Sequence, residues 1–453
     1  MKTKIVEPVG ILGVGVEGRA TISYLLGHGY TDITALDRSP IDDLPPGIST
    51  CFGASHLEGL GRFATLFRSP GIRPDHPALQ EARATGARVT SAVSFFLEQC
   101  PAEVVGVTGT LGKGTCTSLC AAMIAAGGDT VHLGGNIGLS PLAFLDEVEP
   151  DHRVVLEISS FQAMDLAASP RVAVILKTTS EHLDWHTDRD EYLDAKANLL
   201  AHQPEDGVVI FHADTPGAER IAATGGAVRR RFSLTAPVDK GIFVRDEQFF
   251  LADGRQTTAL PIAMDRLKLA GVFNRENIAA AILAAMEVGV PLDVACAAAE
   301  TFEGLPHRLQ FVTSSRGVRF YNDSYATRPD ATIGALASFE HSPLSLILGG
   351  SEKNADFSEL ASVIAAHPML RHISLIGATG PRLRSCIAQA SPNMSMNVHE
   401  SFQGAIEEAV SVLDGEGAVL LSPACASFGL FKNYKIRGEQ FMEIAKRIAK
   451  TVT

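Results

Sequence analysis

The sequence predicts an α/β protein of three domains, built on mostly parallel β-sheets covered by helices. Short apolar runs rich in β-branched residues alternate with helix-period segments along nearly the whole chain, the pattern of crossover-linked parallel strands. Polar clusters follow those runs repeatedly, at the strand ends where such sheets hold ligands. A length of 453 residues suits about two to three domains. We place them at residues 1–99, 100–305 and 306–453.

The first domain opens on a strand, Val9 to Leu12, followed by Gly13-Val-Gly15-Val-Glu-Gly18 and a helix, with Asp37 lying 19 residues after Gly18. Glycines in that order let backbone approach a pyrophosphate at a helix N-terminus. The pattern fits a dinucleotide, another nucleotide-like ligand such as a UDP-linked substrate, or simply a tight turn.

The second domain begins with a strand from Glu103 to Val107 and the loop "GVTGTLGKGT" (106–115). Gly106, Gly109, Gly112 and Gly114 leave backbone amides uncovered, and Lys113 supplies a point charge for β- and γ-phosphates. A helix beginning near Thr115 would add its positive end. Gly114 stands where such loops carry a metal-binding hydroxyl, and Thr115 is one place along. Glu157 ends the apolar run Val154 to Leu156, and a second such run, Val172 to Leu176, leads into Glu181-His182. A carboxylate and an imidazole at neighbouring strand ends suit a shared divalent cation. On a helix from Glu191 to His202, Lys196 falls inside the apolar stripe of Tyr192, Leu193, Leu199 and Leu200. Such a lysine either snorkels to the edge or is desolvated and used chemically, for example as a carbamate. Residues 241–245 and 248–252 read as a hairpin about Asp246-Glu247.

The third domain carries strands near Arg319–Asn322, Leu344–Leu348, Ile373–Ile376 and Ala418–Ser422. Polar groups accompany them: His307 and Arg308, Asp323 to Thr327, Gly349 to Lys353, and Ser422 to Ser427. Lys353 and Ser427 together suit a ligand carboxylate.

Bulk properties exclude several classes. A hydrophobic fraction of 46% supports real cores, while the longest apolar stretches fall far short of the ~20 residues of a membrane helix. The stretch from Val9 to Val16 runs straight into Glu17 and Arg19 with no cleavage site, which predicts a cytoplasmic protein. A net charge of -12 argues against nucleic acid as the main partner. Seven scattered cysteines fit reduced thiols.

The chain resembles the Mur ligase family, and its final motif is particularly like the glutamate-adding members. The matching segments are the 106–115 loop, "GGNIG" (134–138), "LEISSFQ" (156–162), "EHLDWH" (181–186) and "YLDAK" (192–196). "GVFNRENIAA" (271–280), "LPHR" (305–308), "NDSYAT" (322–327) and "LSPACAS" (421–427) continue the series in order. The resemblance implies Rossmann-like outer domains around a central P-loop-type ATPase domain. It implies an ADP-forming amide ligase that joins D-glutamate to UDP-N-acetylmuramoyl-L-alanine in peptidoglycan synthesis, through an acyl phosphate. A sister ligase adding L-glutamate, or a catalytically weakened relative, is the alternative.

By the same resemblance, Gly13, Gly15, Asp37, Ser69 and Gly71 surround the uridine diphosphate, and Asn136 and His182 meet the muramoyl-alanine part. ATP falls to Gly109, Thr110, Gly112, Lys113, Gly114, Thr115, Asn274, His307, Arg308 and Asp323. Two Mg2+ sites are implied, with Thr115, Glu157 and His182 as ligands and a carbamylated Lys196 at the second. Thr327, Lys353, Ser427 and Tyr434 hold the incoming glutamate, and the protein works as a monomer. Leu111, Gly114, Glu181, Phe273, Tyr325, Arg328 and Gly429 depart from the family pattern.

Overall fold

The computed structural model describes residues 4–179, 185–225, 228–269, 271–339, 342–352 and 355–451. The chain divides into two compact units, Met1–Asp265 with Arg275–Glu300, and Arg266–Asn274 with Thr301–Thr453.

Two sheets lie in the first unit. One comprises β1 (Val9–Leu12), β2 (Ile33–Asp37), β3 (Ser49–Phe52), β4 (Thr65–Arg68) and β5 (Arg88–Thr90), in the order β3-β2-β1-β4-β5. All its pairings are parallel. The other begins with β6 (Glu103–Thr108), β7 (Val131–Gly135), β8 (Arg153–Glu157) and β9 (Val172–Ile175). It continues with β10 (Val208–His212), β11 (Val228–Ser233), β12 (Lys240–Arg245), β13 (Gln248–Asp253) and β14 (Thr257–Ala259). Its order is β14-β13-β12-β11-β10-β9-β6-β8-β7, antiparallel only at β12-β13-β14. Asp246 and Glu247 both take positive φ (50° and 56°), the two-residue turn whose twist suits a hairpin. The inner strands β1, β6, β8, β9 and β10 are almost wholly buried, as expected of parallel strands covered on both faces, and one apolar cluster runs from Val9 through Phe96 and Val104 to Phe211.

The second unit holds β15 (Gln310–Ser315), β16 (Val318–Asn322), β17 (Leu344–Gly349), β18 (Leu370–Ile376), β19 (Met396–His399) and β20 (Gly417–Leu421). Their order is β15-β16-β20-β17-β18-β19, parallel except for β15. Its faces are packed by separate apolar clusters, one around Leu346, Leu360 and Leu383, the other around Phe320, Ile406 and Phe441. The α/β class with mostly parallel sheets is therefore as the sequence predicts. Among the described residues no helix is long and apolar enough to cross a membrane.

Two helix limits differ from expectation. The helix expected over 191–202 spans Arg189–Ala197, started by the Asp188 carboxylate, which accepts the Glu191 N–H at 2.8 Å. Past Ala197 the chain tightens into a turn in which the Leu199 and Leu200 N–H groups donate to the Lys196 and Ala197 carbonyls, three residues back, and both leucines are buried from it. The second difference lies at the phosphate loop.

Candidate active site

Strand β6 ends at Thr108, and residues 109–112 turn the chain into helix Lys113–Ala126. Gly112 has φ 84° and caps that helix; a Cβ there would run into the Asn277 side chain. The helix thus opens at Lys113, two residues before the expected Thr115, and Gly114 is buried inside its first turn. Thr115 lies half-buried on the same turn. Lys113 Nζ donates to the carbonyls of Gly109 at 3.0 Å and Thr110 at 2.9 Å, which places the amine over the loop at the helix's positive end. The Thr110 hydroxyl meets the Tyr192 hydroxyl at 2.9 Å and accepts the Thr179 N–H at 3.1 Å.

Parallel register puts Glu157, the last residue of β8, level with Val107 of β6 and Gly135 of β7. Its carboxylate is buried; Oε1 accepts from Asn136 Nδ2 at 2.6 Å, and Oε2 has no hydrogen-bond partner among the described residues. A buried carboxylate oxygen left bare is costly unless a cation or donor meets it, so this position suits a hard divalent ion. Lys196 is 1% exposed, so its amine does not snorkel to the surface. It points to the foot of the phosphate loop, donating to Gly109 O at 3.0 Å and Thr108 Oγ1 at 3.3 Å, 4.6 Å from the Tyr192 ring centre. His182 lies outside the described residues. His186, four residues on, is buried against the Ser160 hydroxyl at 2.9 Å, and burial lowers its pKa from the ordinary value.

In the first sheet, Gly13 takes φ 86°, and a side chain there would strike Ser69. Gly15 caps helix Val16–Gly27 and is exposed. Asp37 Oδ2 accepts the Val14 N–H at 2.8 Å and Oδ1 the Ser39 N–H at 3.0 Å, so the carboxylate braces the glycine turn. The buried Arg68 guanidinium donates to the Ser69 carbonyl at 3.2 Å and the Ile72 carbonyl at 2.7 Å, and pairs with Asp165. It fixes the Ser69–Gly71 turn beside Gly13.

In the second unit, the carboxyl ends of β16, β20 and β17 carry a buried polar cluster. Asp323 Oδ2 accepts from Ser422 Oγ at 2.7 Å and Oδ1 from the Leu309 N–H at 3.1 Å. Burial pushes its carboxyl up to about 7, against the pull of those bonds and of Arg308 and Arg437. His307 Nδ1 lies 3.0 Å from Asn322 Nδ2 and accepts from it, leaving the proton on Nε2. Arg308 stacks 4.2 Å over the Tyr325 ring, and that ring meets Tyr434 edge-on at 5.1 Å. Ser427 is buried, while Thr327 follows Tyr325 on the same turn, its N–H donating to the Tyr325 carbonyl at 2.8 Å. Arg437 binds these loops together: it donates to Ser324 Oγ at 2.9 Å, the Ser324 carbonyl at 2.9 Å and the Cys425 carbonyl at 3.0 Å. Asn274 is buried within Arg266–Asn274, at the start of helix Val272–Glu287. Lys353 lies outside the described residues.

Three domain families match in chain order: the Mur ligase MurD-like N-terminal domain over 7–91, the Mur ligase middle domain over 107–285 and the Mur ligase glutamate ligase domain over 307–425. A UDP-N-acetylmuramoylalanine--D-glutamate ligase of Acetivibrio thermocellus is 35% identical, with 98% of this chain and 97% of that protein covered. The chain belongs to the Mur ligase family. Like-named ligases of Clostridium kluyveri and Symbiobacterium thermophilum are 33% and 31% identical, each over at least 96% of either protein. Among solved structures, Mur ligases with the same fold include MurF from Acinetobacter baumannii (TM-score 0.61, 17% identity, 96% of this chain and 90% of that one). MurC from Thermotoga maritima is another (TM-score 0.58, 16% identity, 97% and 99% covered).

Within this Mur ligase, several neighbours of the predicted residues escape sequence reasoning. Asn277 walls the phosphate loop, Tyr192 holds Thr110, and Arg68 and Arg437 are buried braces. The phosphate loop and the strand ends are local signals; an arginine spent on backbone carbonyls is visible only once the chain is folded.

Proposed function

We propose that this Mur ligase joins D-glutamate to UDP-N-acetylmuramoyl-L-alanine with ATP, in peptidoglycan synthesis. The carrying observation is the match, over essentially the full length of both chains, to relatives bearing that name. A carboxylate cannot take an amine directly at neutral pH, because oxide would have to leave. Transfer of the γ-phosphoryl of ATP to the alanyl carboxylate forms an O–P bond and releases ADP. The glutamate amine, having lost its proton, then forms the C–N bond, and phosphate departs with the C–O electron pair.

The residues divide these tasks. Lys113 and the amides of residues 109–115 grip the triphosphate and neutralise the moving phosphoryl. Glu157, with Thr115 and His182, would hold one Mg2+, and a carbamylated Lys196 the second; bound there, magnesium supplies Lewis-acid neutralisation of phosphate charge. Asn136 orients Glu157 and faces the sugar-linked substrate. The Gly13–Gly15 turn, Asp37 and the Ser69–Gly71 turn take the UDP. Asn274, His307, Arg308 and Asp323 serve the nucleotide, and Thr327, Lys353, Ser427 and Tyr434 serve glutamate. The reading also makes the protein a cytoplasmic monomer.

A second reading, L-glutamate, is favoured by Tyr325 and Arg328, which depart from the family pattern in the loop assigned to the amino acid, where Arg308 stacks on the Tyr325 ring. Both readings are tested by supplying ATP, Mg2+ and UDP-N-acetylmuramoyl-L-alanine with either glutamate enantiomer. Phosphate release with D-glutamate alone is expected; release with L-glutamate alone overturns the first reading, and none with either marks an inactive relative.

A further inference from the structure

At the β19 edge of the second unit's sheet, three metal-type ligands converge. His372 lies on β18, His399 ends the edge strand β19, and Glu408 comes from helix Phe402–Ser411. Ile376 pairs with His399, and His372 lies an even number of residues before Ile376, so both imidazoles rise from the same face of the sheet. Glu408 descends on that face between them. Its Oε2 is 2.6 Å from His399 Nε2 and 3.5 Å from His372 Nε2, and all three ligand atoms lie within 4.8 Å of one another.

Both approaches are within ion-pair distance, yet neither is aligned as a hydrogen bond. Each ligand atom is buried and lacks any aligned hydrogen bond among the described residues. The 2.6 and 3.5 Å separations straddle the ~3.4 Å expected between ligands placed about 2.1 Å from a tetrahedral ion. The outer contacts are those of metal ligands: His372 Nδ1 meets Ser395 Oγ at 2.9 Å, which leaves Nε2 to face inward, and Asn397 Nδ2 donates to Glu408 Oε1 at 2.5 Å. His372, 1% exposed, is the buried polar side chain that demands a partner.

We propose that His372, His399 and Glu408 bind a divalent ion of the zinc class, which pins the edge strand to the helix above it. Two imidazoles and one carboxylate leave a fourth position for water, and the donor set favours zinc over magnesium. The site lies in the second unit, shares no residue with those assigned to the reaction proposed above and does not depend on that reaction.

The test titrates metal-free full-length protein with Zn2+ against a chromophoric chelator, in excess Mg2+. One tight equivalent is expected, weakened about 100-fold in His399→Gln and Glu408→Gln and about 10-fold in Asn397→Ala. Equal binding by wild type and variants, or no tight binding, overturns the proposal. X-ray absorption of the zinc-loaded wild type gives a measurement that needs no variant. Two imidazole nitrogens in the shell support the site, and a shell with thiolate or without imidazole overturns it.

Discussion

Lys196 and Asp323 show what burial does to single charged residues. An amine that is 1% exposed, among Tyr192, Thr108 and Gly109, has lost most of its hydration and must be replaced by nearby dipoles or by chemistry. If carbamylation is its use, Lys196→Ala should lose about 10²-fold or more in kcat, with no recovery in high bicarbonate, while a thermal melt shows the fold retained. Full activity in that variant removes the carbamate. Asp323 makes a pH prediction. Its carboxyl is pushed up to about 7 in the folded protein, whereas an unfolded aspartate ionises near ~3.9. The folded chain therefore keeps a proton that the unfolded chain releases. The stabilisation is complete below pH ~4 and is lost as pH rises through about 7. Between pH 5 and 8, wild type should lose roughly 2–3 kcal/mol more than Asp323→Asn in urea unfolding. Parallel pH curves for the two proteins would refute the assignment.

At the scale of elements, the helix Tyr434–Thr451 is anchored through one buried guanidinium. Arg437 is fully buried, with a pKa lowered to about 10 by that burial, yet it still carries charge at neutral pH. Its planar fork spans the turn after β16 and the turn after β20, through Ser324 and Cys425. Lysine cannot reproduce a fork. Arg437→Lys should therefore destabilise the unit by about 2 kcal/mol or more and raise KM for glutamate before lowering ATP affinity. A variant as stable as wild type contradicts this role. The same elements show which features were legible in sequence. Strands β1, β6, β8 and β17 announce themselves because apolar, β-branched runs end at glycine or a charge, and the hairpin because two polar residues separate two such runs. The glycines at 13, 109 and 112 mark the sites because those turns need positive φ. The limit at Ala197 was not legible, since no glycine or proline marks the switch to bonds three residues back at Leu199 and Leu200. The contacts of Arg68, Arg437 and Asn277 depend on residues distant in sequence, so no local pattern announces them.

At the scale of the whole molecule, two compact units with separate apolar clusters imply that ligands stabilise them unequally. The phosphate loop, Glu157 and Lys196 all belong to the first unit, whereas the Arg437 cluster belongs to the second. A ligand that binds only the folded state adds RT ln(1 + [L]/Kd), about 2.7 kcal/mol at a hundredfold excess over Kd. ADP with Mg2+ should then shift the calorimetric transition of the first unit upward, with a smaller effect on the second. Lys113→Ala should abolish the shift if, as proposed, that amine holds the phosphates. Glu157→Gln should keep the shift given by ADP alone and lose the increment added by Mg2+, since it removes an anion and spares the loop. A magnesium increment that survives in Glu157→Gln would place the ion elsewhere. An ADP shift that survives in Lys113→Ala would deny the loop its part in holding the nucleotide.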